Sequence, residues 1–94
     1  MEIYFKEESI GTLENIYREE FWIHGNLMPN EAYYKYKDFF DAMVCEDEEI
    51  DENLFDSRLF KDSNWLIKIK EEFQAIFIPA IYEDGYVSVR CKKR

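Results

Sequence analysis

A chain of 94 residues, 47% of them apolar and 18% aromatic, is the size of one domain with a modest core, so 1–94 is read as a single domain. That ring content excludes intrinsic disorder, although 35% of the residues are charged. A net charge of −9 argues against direct contact with nucleic-acid phosphates or anionic lipid and favours basic partners, while also keeping a small domain soluble.

Taken in chain order, the opening Met1-Glu2-Ile3-Tyr4-Phe5-Lys6-Glu7-Glu8 has no basic start and no long apolar run, so it does not read as a signal peptide. No later stretch reaches the roughly 20 apolar residues of a spanning helix. The chain is therefore expected to be cytoplasmic, off the membrane, with Cys45 and Cys91 reduced. Residues 2–6, 10–17 and 21–28 are rich in β-branched and aromatic side chains. They are separated by the charged clusters Glu7-Glu8-Ser9 and Arg18-Glu19-Glu20 and read as a three-stranded antiparallel meander. For 12–23 a helix competes, because Leu13, Ile16, Tyr17 and Glu20 also have helical spacing.

Pro29-Asn30-Glu31 predicts a helix start, with Asn30 as cap and Glu31 at the positive end of the dipole. Ala32, Tyr33, Tyr36, Phe40, Met43 and Val44 follow at three- and four-residue steps, which places one apolar stripe on a helix over about 31–45. In 46–52, six of seven residues are acidic. Negative charge is unfavourable at a helix C-terminus, so this run is expected to stop the helix and form a loop or a new short helix, with Ile50, Leu54 and Phe55 inward. After a helical turn or loop over 53–60 and the turn cluster Lys61-Asp62-Ser63-Asn64, residues 65–70 alternate as a strand. Lys70-Glu71-Glu72 suits a tight connection. Residues 73–82 form a second apolar run, in which Pro79 marks an edge or a bulge. Glu83-Asp84-Gly85 is the strongest turn signal, read as a hairpin with both central residues at positive φ, and 86–91 closes the meander.

The order is β-β-β-α-(acidic loop)-β-β-β. The expected fold is α+β: an antiparallel sheet of about five or six strands packed on one main helix at 31–45.

Catalytic signals are absent. His24, the single histidine, has no Ser or Cys nucleophile nearby in sequence and reads as a structural or interface residue. Cys45 follows the helix stripe beside Glu46 and Asp47, a setting that opposes a thiolate, whereas Cys91 beside Lys92 and Lys93 is better placed for one. No zinc pattern is possible with one His and two separated Cys, and 46–57 lacks the glycine of a calcium loop. No phosphate-binding or dinucleotide-binding glycine motif occurs. The chain is expected to be no enzyme, with no cofactor and no metal.

The acidic run is instead a candidate docking surface. Glu46, Asp47, Glu48, Glu49, Asp51, Glu52 and Asp56 can meet Arg and Lys on a partner, where charge-assisted hydrogen bonds are strong. A solvated loop with no partner is the plain alternative. Tyr34, next to the stripe residue Tyr33, can lean outward as an aromatic anchor. The other large rings, Phe21, Trp22, Tyr33 and Trp65, are read as core.

Two groups of segments carry a resemblance. One is Gly11-Thr12-Leu13, then Glu20-Phe21-Trp22-Ile23-His24-Gly25, then Pro29 ahead of the aromatic helix. The other is Leu59-Phe60-Lys61-Asp62-Ser63-Asn64-Trp65, followed by Ile78-Pro79-Ala80-Ile81-Tyr82-Glu83-Asp84-Gly85 and Arg90. In order and texture the chain resembles small acidic bacterial immunity proteins found beside polymorphic or contact-dependent toxins. The resemblance implies a cytoplasmic inhibitor of a basic toxin, such as a nuclease. It transfers no binding residue. Three other readings stand beside it: a phage-type DNA mimic acting on a host nuclease, a small ligand-binding domain, and a homodimer or scaffold built on an exposed 73–82 edge.

Overall fold

Alternation of apolar and polar residues is realised as a run of hairpins. The computed structural model describes residues 1–44 and 52–92. Strands β1 (Glu2–Phe5), β2 (Glu8–Glu19) and β3 (Trp22–Pro29) form the expected meander, so 12–23 is strand, hairpin turn and strand, and the helical alternative is ruled out. A short 3-10 turn (Glu31–Lys35) and helix α1 (Lys37–Met43) follow. Three more 3-10 turns (Glu52–Leu54, Ser57–Phe60, Asp62–Asn64) lead into β4 (Trp65–Ile69), β5 (Glu72–Ala75), β6 (Ala80–Ile81) and β7 (Tyr86–Arg90).

The strands lie in the order β5-β4-β1-β2-β3-β7-β6, seven among the described residues rather than five or six. The added strand comes from Pro79, which has no N–H to donate and splits the predicted 73–82 run into β5 and β6. The two halves of that run lie along different neighbours. β5 pairs with β4, whereas β6 pairs with β7. Between them, Phe77 N–H donates to Arg90 O at 3.0 Å, Lys92 N–H donates to Ala75 O at 3.1 Å, and Ile76 bridges Cys91. These bonds join the two ends of the sheet and curl it around its core.

Three connections are two-residue turns, Lys6-Glu7, Glu20-Phe21 and Lys70-Glu71, as the pairs Phe5–Glu8, Glu19–Trp22 and Ile69–Glu72 require. The first residue of each turn has positive φ (56°, 45° and 59°), a conformation glycine adopts without the Cβ penalty these residues bear. At Glu83-Asp84-Gly85 only Gly85 has positive φ, at 92°. Tyr82 N–H donates to Tyr86 O and the Asp84 carboxylate accepts from Tyr86 N–H, so the loop has three residues and one left-handed position, not the expected two.

The predicted helix over 31–45 is shorter and broken. Asn30 does cap, accepting from the N–H groups of Ala32 and Tyr33, but it caps the 3-10 turn, and regular α-helix starts only at Lys37. The inward residues are Tyr33, Phe39 and Phe40. Met43, placed on the apolar stripe by its spacing, is exposed, because the change from 3-10 to α geometry between 35 and 37 rotates the buried face. Leu54, expected inward, is exposed as well, whereas Phe55 packs on the core.

Trp65 anchors the core. Its ring lies 4.9 Å from Phe5 and 5.4 Å from Phe40, and its indole N–H donates to Leu59 O at 2.9 Å, so a fully buried ring keeps its one polar group satisfied. Ile3, Ile23, Ile67, Ile76, Ile81, Val87 and Val89 fill the inner face of the sheet. Glu8 ties the turn before α1 to β2, accepting from Lys35 at 2.7 Å and from the Tyr36 hydroxyl at 2.9 Å. Burial and this carboxylate push the Tyr36 phenol up to about 12.

Candidate functional site

Because side chains alternate along a strand, the residues between the core positions of β2, β3 and β7 stand together on the outer face. The registers set them in three cross-strand rows. Glu19, Trp22 and Arg90 form the first, continued by Phe77, which is bonded to Arg90. Tyr17, His24, Ser88 and Ala80 form the second. Glu14, Asn26 and Tyr86 form the third, continued by Tyr82.

The second row depends on an irregularity. Between Glu14 and Tyr17 the register of β2 shifts by one, so that Asn15 and Ile16 together oppose Gly25. Asn15 absorbs the bend at φ 54°. A Cβ on Gly25 would lie 2.8 Å from Glu14 O, so only glycine lets the bulged strand approach this closely. Were the Glu14–Asn26 register carried on without this shift, Tyr17 would oppose Ile23 and point into the core. With it, Tyr17 pairs with His24 and points outward. Bulges commonly re-aim a side chain in this way beside functional sites.

The rings assembled here stack. His24 lies 6.0 Å from Tyr17, 6.0 Å from Trp22 and 6.1 Å from Tyr86, with the Trp22 and Tyr86 planes within 10° of its own. Tyr82 continues the row 6.0 Å from Tyr86. The His24 Nδ1 and Ser88 Oγ share a hydrogen bond at 2.9 Å, which fixes the imidazole between its neighbours. The Arg90 guanidinium sits 6.0 Å from the Trp22 ring and 5.6 Å from Phe77, and the Lys92 ammonium lies 5.4 Å from Phe77. Glu19 stands beside Tyr17; its charge, then its hydrogen bond, pushes the Tyr17 phenol up. Tyr17 is 59% exposed and Trp22 41%.

Ser88 and Ala80 are the small members of this grid. They form the floor of a hollow of about 340 Å³ whose walls are Trp22, His24, Tyr82 and Glu19. A second depression runs from Tyr82-Glu83-Asp84 past Leu27 and Pro29 to Tyr33, Tyr34 and Lys37. Tyr82 borders both, so the aromatic surface continues around the hairpin to Tyr34, which is 63% exposed.

Of the residues proposed from sequence, Tyr34 is exposed. Asp56 is engaged locally. It caps the 57–60 turn by accepting from Arg58 N–H and pairs with the Arg58 guanidinium at 2.5 Å; these bonds hold its carboxyl down at about 2. Glu46, Asp47, Glu48, Glu49 and Asp51 lie outside the described residues, as does Cys45, and Glu52 is described only as the first residue of a 3-10 turn. Phe21 and Trp22, read as core, are exposed. The signal that could have found them is an aromatic in the solvent phase of an alternating strand, at Trp22, His24 and Tyr86. Cys91 is corrected too: it is buried, and desolvation pushes its thiol up despite the lysines that follow. Among the described residues no three His, Cys, Asp or Glu side chains are grouped to hold a metal, and no helix is long and apolar enough to cross a membrane.

In chemical terms the outer face offers flat apolar area, hydroxyl groups, an arginine and an acidic margin. No family model, curated protein or solved structure matches the chain.

Proposed function

We propose that this chain is a binding protein whose partner is another protein, and that, as the sequence resemblance implies, it neutralises a basic toxin by covering its active-site or substrate surface. The observation that carries the reading is the exposed array of Trp22, Tyr17, Tyr86, Tyr82 and Arg90 on one sheet face. Trp, Tyr and Arg dominate interface hot spots because they bury much area with few rotors and keep a polar tip. A net charge of −9 adds steering toward a basic surface, which speeds encounter, while ring anchors slow release. The acidic run 46–52 joins this reading as a source of steering charge, with the aromatic face as the anchor.

The test is co-expression with the product of the adjacent gene, scoring growth. The unaltered chain is expected to rescue growth and the double variant Trp22→Ala, Tyr82→Ala to lose rescue. Phe73→Ala, which removes an exposed ring on β5 at the other end of the strand order, is expected to keep it. Full rescue by the double variant would remove this face as the interface. Neutralising Glu46, Asp47, Glu48 and Glu49 to their amides is expected to weaken toxin binding and flatten its salt dependence.

A further inference from the structure

The hollow floored by Ser88 and Ala80 has a narrower chemistry than the face around it. Its walls are the rings of Trp22, His24 and Tyr82, and its one formal charge is the Glu19 carboxylate. Among the described residues no Lys or Arg pairs with Glu19; the ion pairs lie elsewhere, at Glu8, Asp41 and Asp56. Glu19 is held instead beside the Tyr17 hydroxyl, at the rim of an aromatic-walled slot. Electron-rich ring faces with a nearby carboxylate suit a cation, and a planar guanidinium can stack on a ring and hydrogen-bond a carboxylate at once. The fold already contains a guanidinium on rings in the row of Trp22 itself, where Arg90 seats on Trp22 and Phe77.

We infer that this slot receives an arginine side chain of the partner, its guanidinium against Trp22 and Tyr82 and hydrogen-bonded to Glu19. The inference rests on the reading of the outer face as a protein-binding surface and specifies which side chain of a basic partner that surface anchors. The hydroxyl of Ser88 on the floor is bonded to His24, which keeps the imidazole upright as the back wall.

The two tryptophans make the test direct. Trp22 lines the slot, whereas Trp65 is fully buried with its N–H bonded to Leu59 O, so the two indole N–H resonances report the slot and the core separately. N-acetyl-arginine amide is titrated into the labelled protein, with N-acetyl-tyrosine amide and N-acetyl-glutamate amide as competitors for the assignment. Saturable movement of the Trp22 resonance by the arginine probe, with Trp65 unmoved, is the expected result. Glu19→Gln is expected to weaken it by about two- to five-fold, the scale of one exposed charge pair, and Tyr82→Ala to remove it. Phe73→Ala, which removes an exposed ring on β5 outside the slot, is expected to leave it intact. The inference is overturned if the arginine probe leaves Trp22 unmoved, if the tyrosine probe binds more tightly, or if the glutamate probe binds and Arg90→Gln abolishes that binding. In those cases loss of toxin rescue in the Trp22→Ala, Tyr82→Ala variant would keep the face as an interface with a different anchor. Arginine binding at the slot together with undisturbed rescue by that variant would leave the slot standing and fell the toxin reading instead.

Discussion

The two faces of β3 and β7 are built from alternate residues of the same strands, yet they obey different rules. Inward, Ile23, Leu27, Val87 and Val89 are β-branched or aliphatic and buried. Outward, Trp22, His24 and Tyr86 are aromatic and at least partly open to water. The buried rings among the described residues, Trp65, Phe39, Phe40, Tyr33 and Phe5, lie elsewhere, in or against the helical segments. The buried packing and the proposed binding surface therefore use separate side chains, and a substitution on one face should leave the property assigned to the other largely intact.

That separation can be broken or sharpened by substitution. The largest effect is expected from Trp65→Ala, which empties a site touching three other rings and orphans Leu59 O. A loss of about 3–5 kcal/mol is expected in urea unfolding. Gly25→Ala, which forces a methyl group against Glu14 O, should cost about 1–3 kcal/mol. It should also disturb the Tyr17 resonances, because it strikes the bulge that turns Tyr17 outward. Trp22→Ala sharpens the comparison: stability should fall by only about 0.5–1 kcal/mol, the worth of cross-strand ring contacts, while binding collapses. A loss of stability as large as that from Trp65→Ala would show that the outer rings are structural after all.

Smaller effects test the connections. Glu20→Gly and Lys70→Gly place glycine where φ is already positive, and each should leave stability unchanged or raise it by up to about 1 kcal/mol, read by thermal unfolding. The smallest effect is electrostatic. The folded pKa of Asp56 is depressed to about 2 from 3.8, so its contribution is present above the unfolded value and is lost as pH falls from there toward 2. The unfolding midpoint of the unaltered chain should decline through that window more than that of Asp56→Asn. The difference should be slight, because the pair is exposed.

Much of the fold was legible. The meander over 2–28 follows from alternation, although of the charged clusters between the runs only Glu7 and Glu20 fall in turns and the rest belongs to β2. The α+β layout was also readable, whereas Pro79 read as an edge or bulge within one run and in the fold divides it into β5 and β6. The helix boundaries were not, because a 3-10 turn and an α-helix with nearly the same spacing of apolar residues differ in which of them face inward; Phe39 replaces Met43 for that reason. The outer face was missed because Trp22 and Phe21 are core residues by hydropathy alone. Trp22 is exposed by strand phase, and Phe21 by its place in the Glu20-Phe21 turn. The acidic run attracted the functional assignment because charge is visible in one dimension, whereas a patch drawn from β2, β3, β6 and β7 exists only once the sheet is formed.

The bulge at Asn15-Ile16 has a genetic corollary. Deleting a single codon there would leave one residue opposite Gly25 and restore unbroken pairing, with Tyr17 still opposite His24 and Glu19 still opposite Trp22. The local bend and the close approach to Gly25 would go, while the rows of the outer face would keep their partners. The strand can therefore lose one residue at this point without turning its later side chains over.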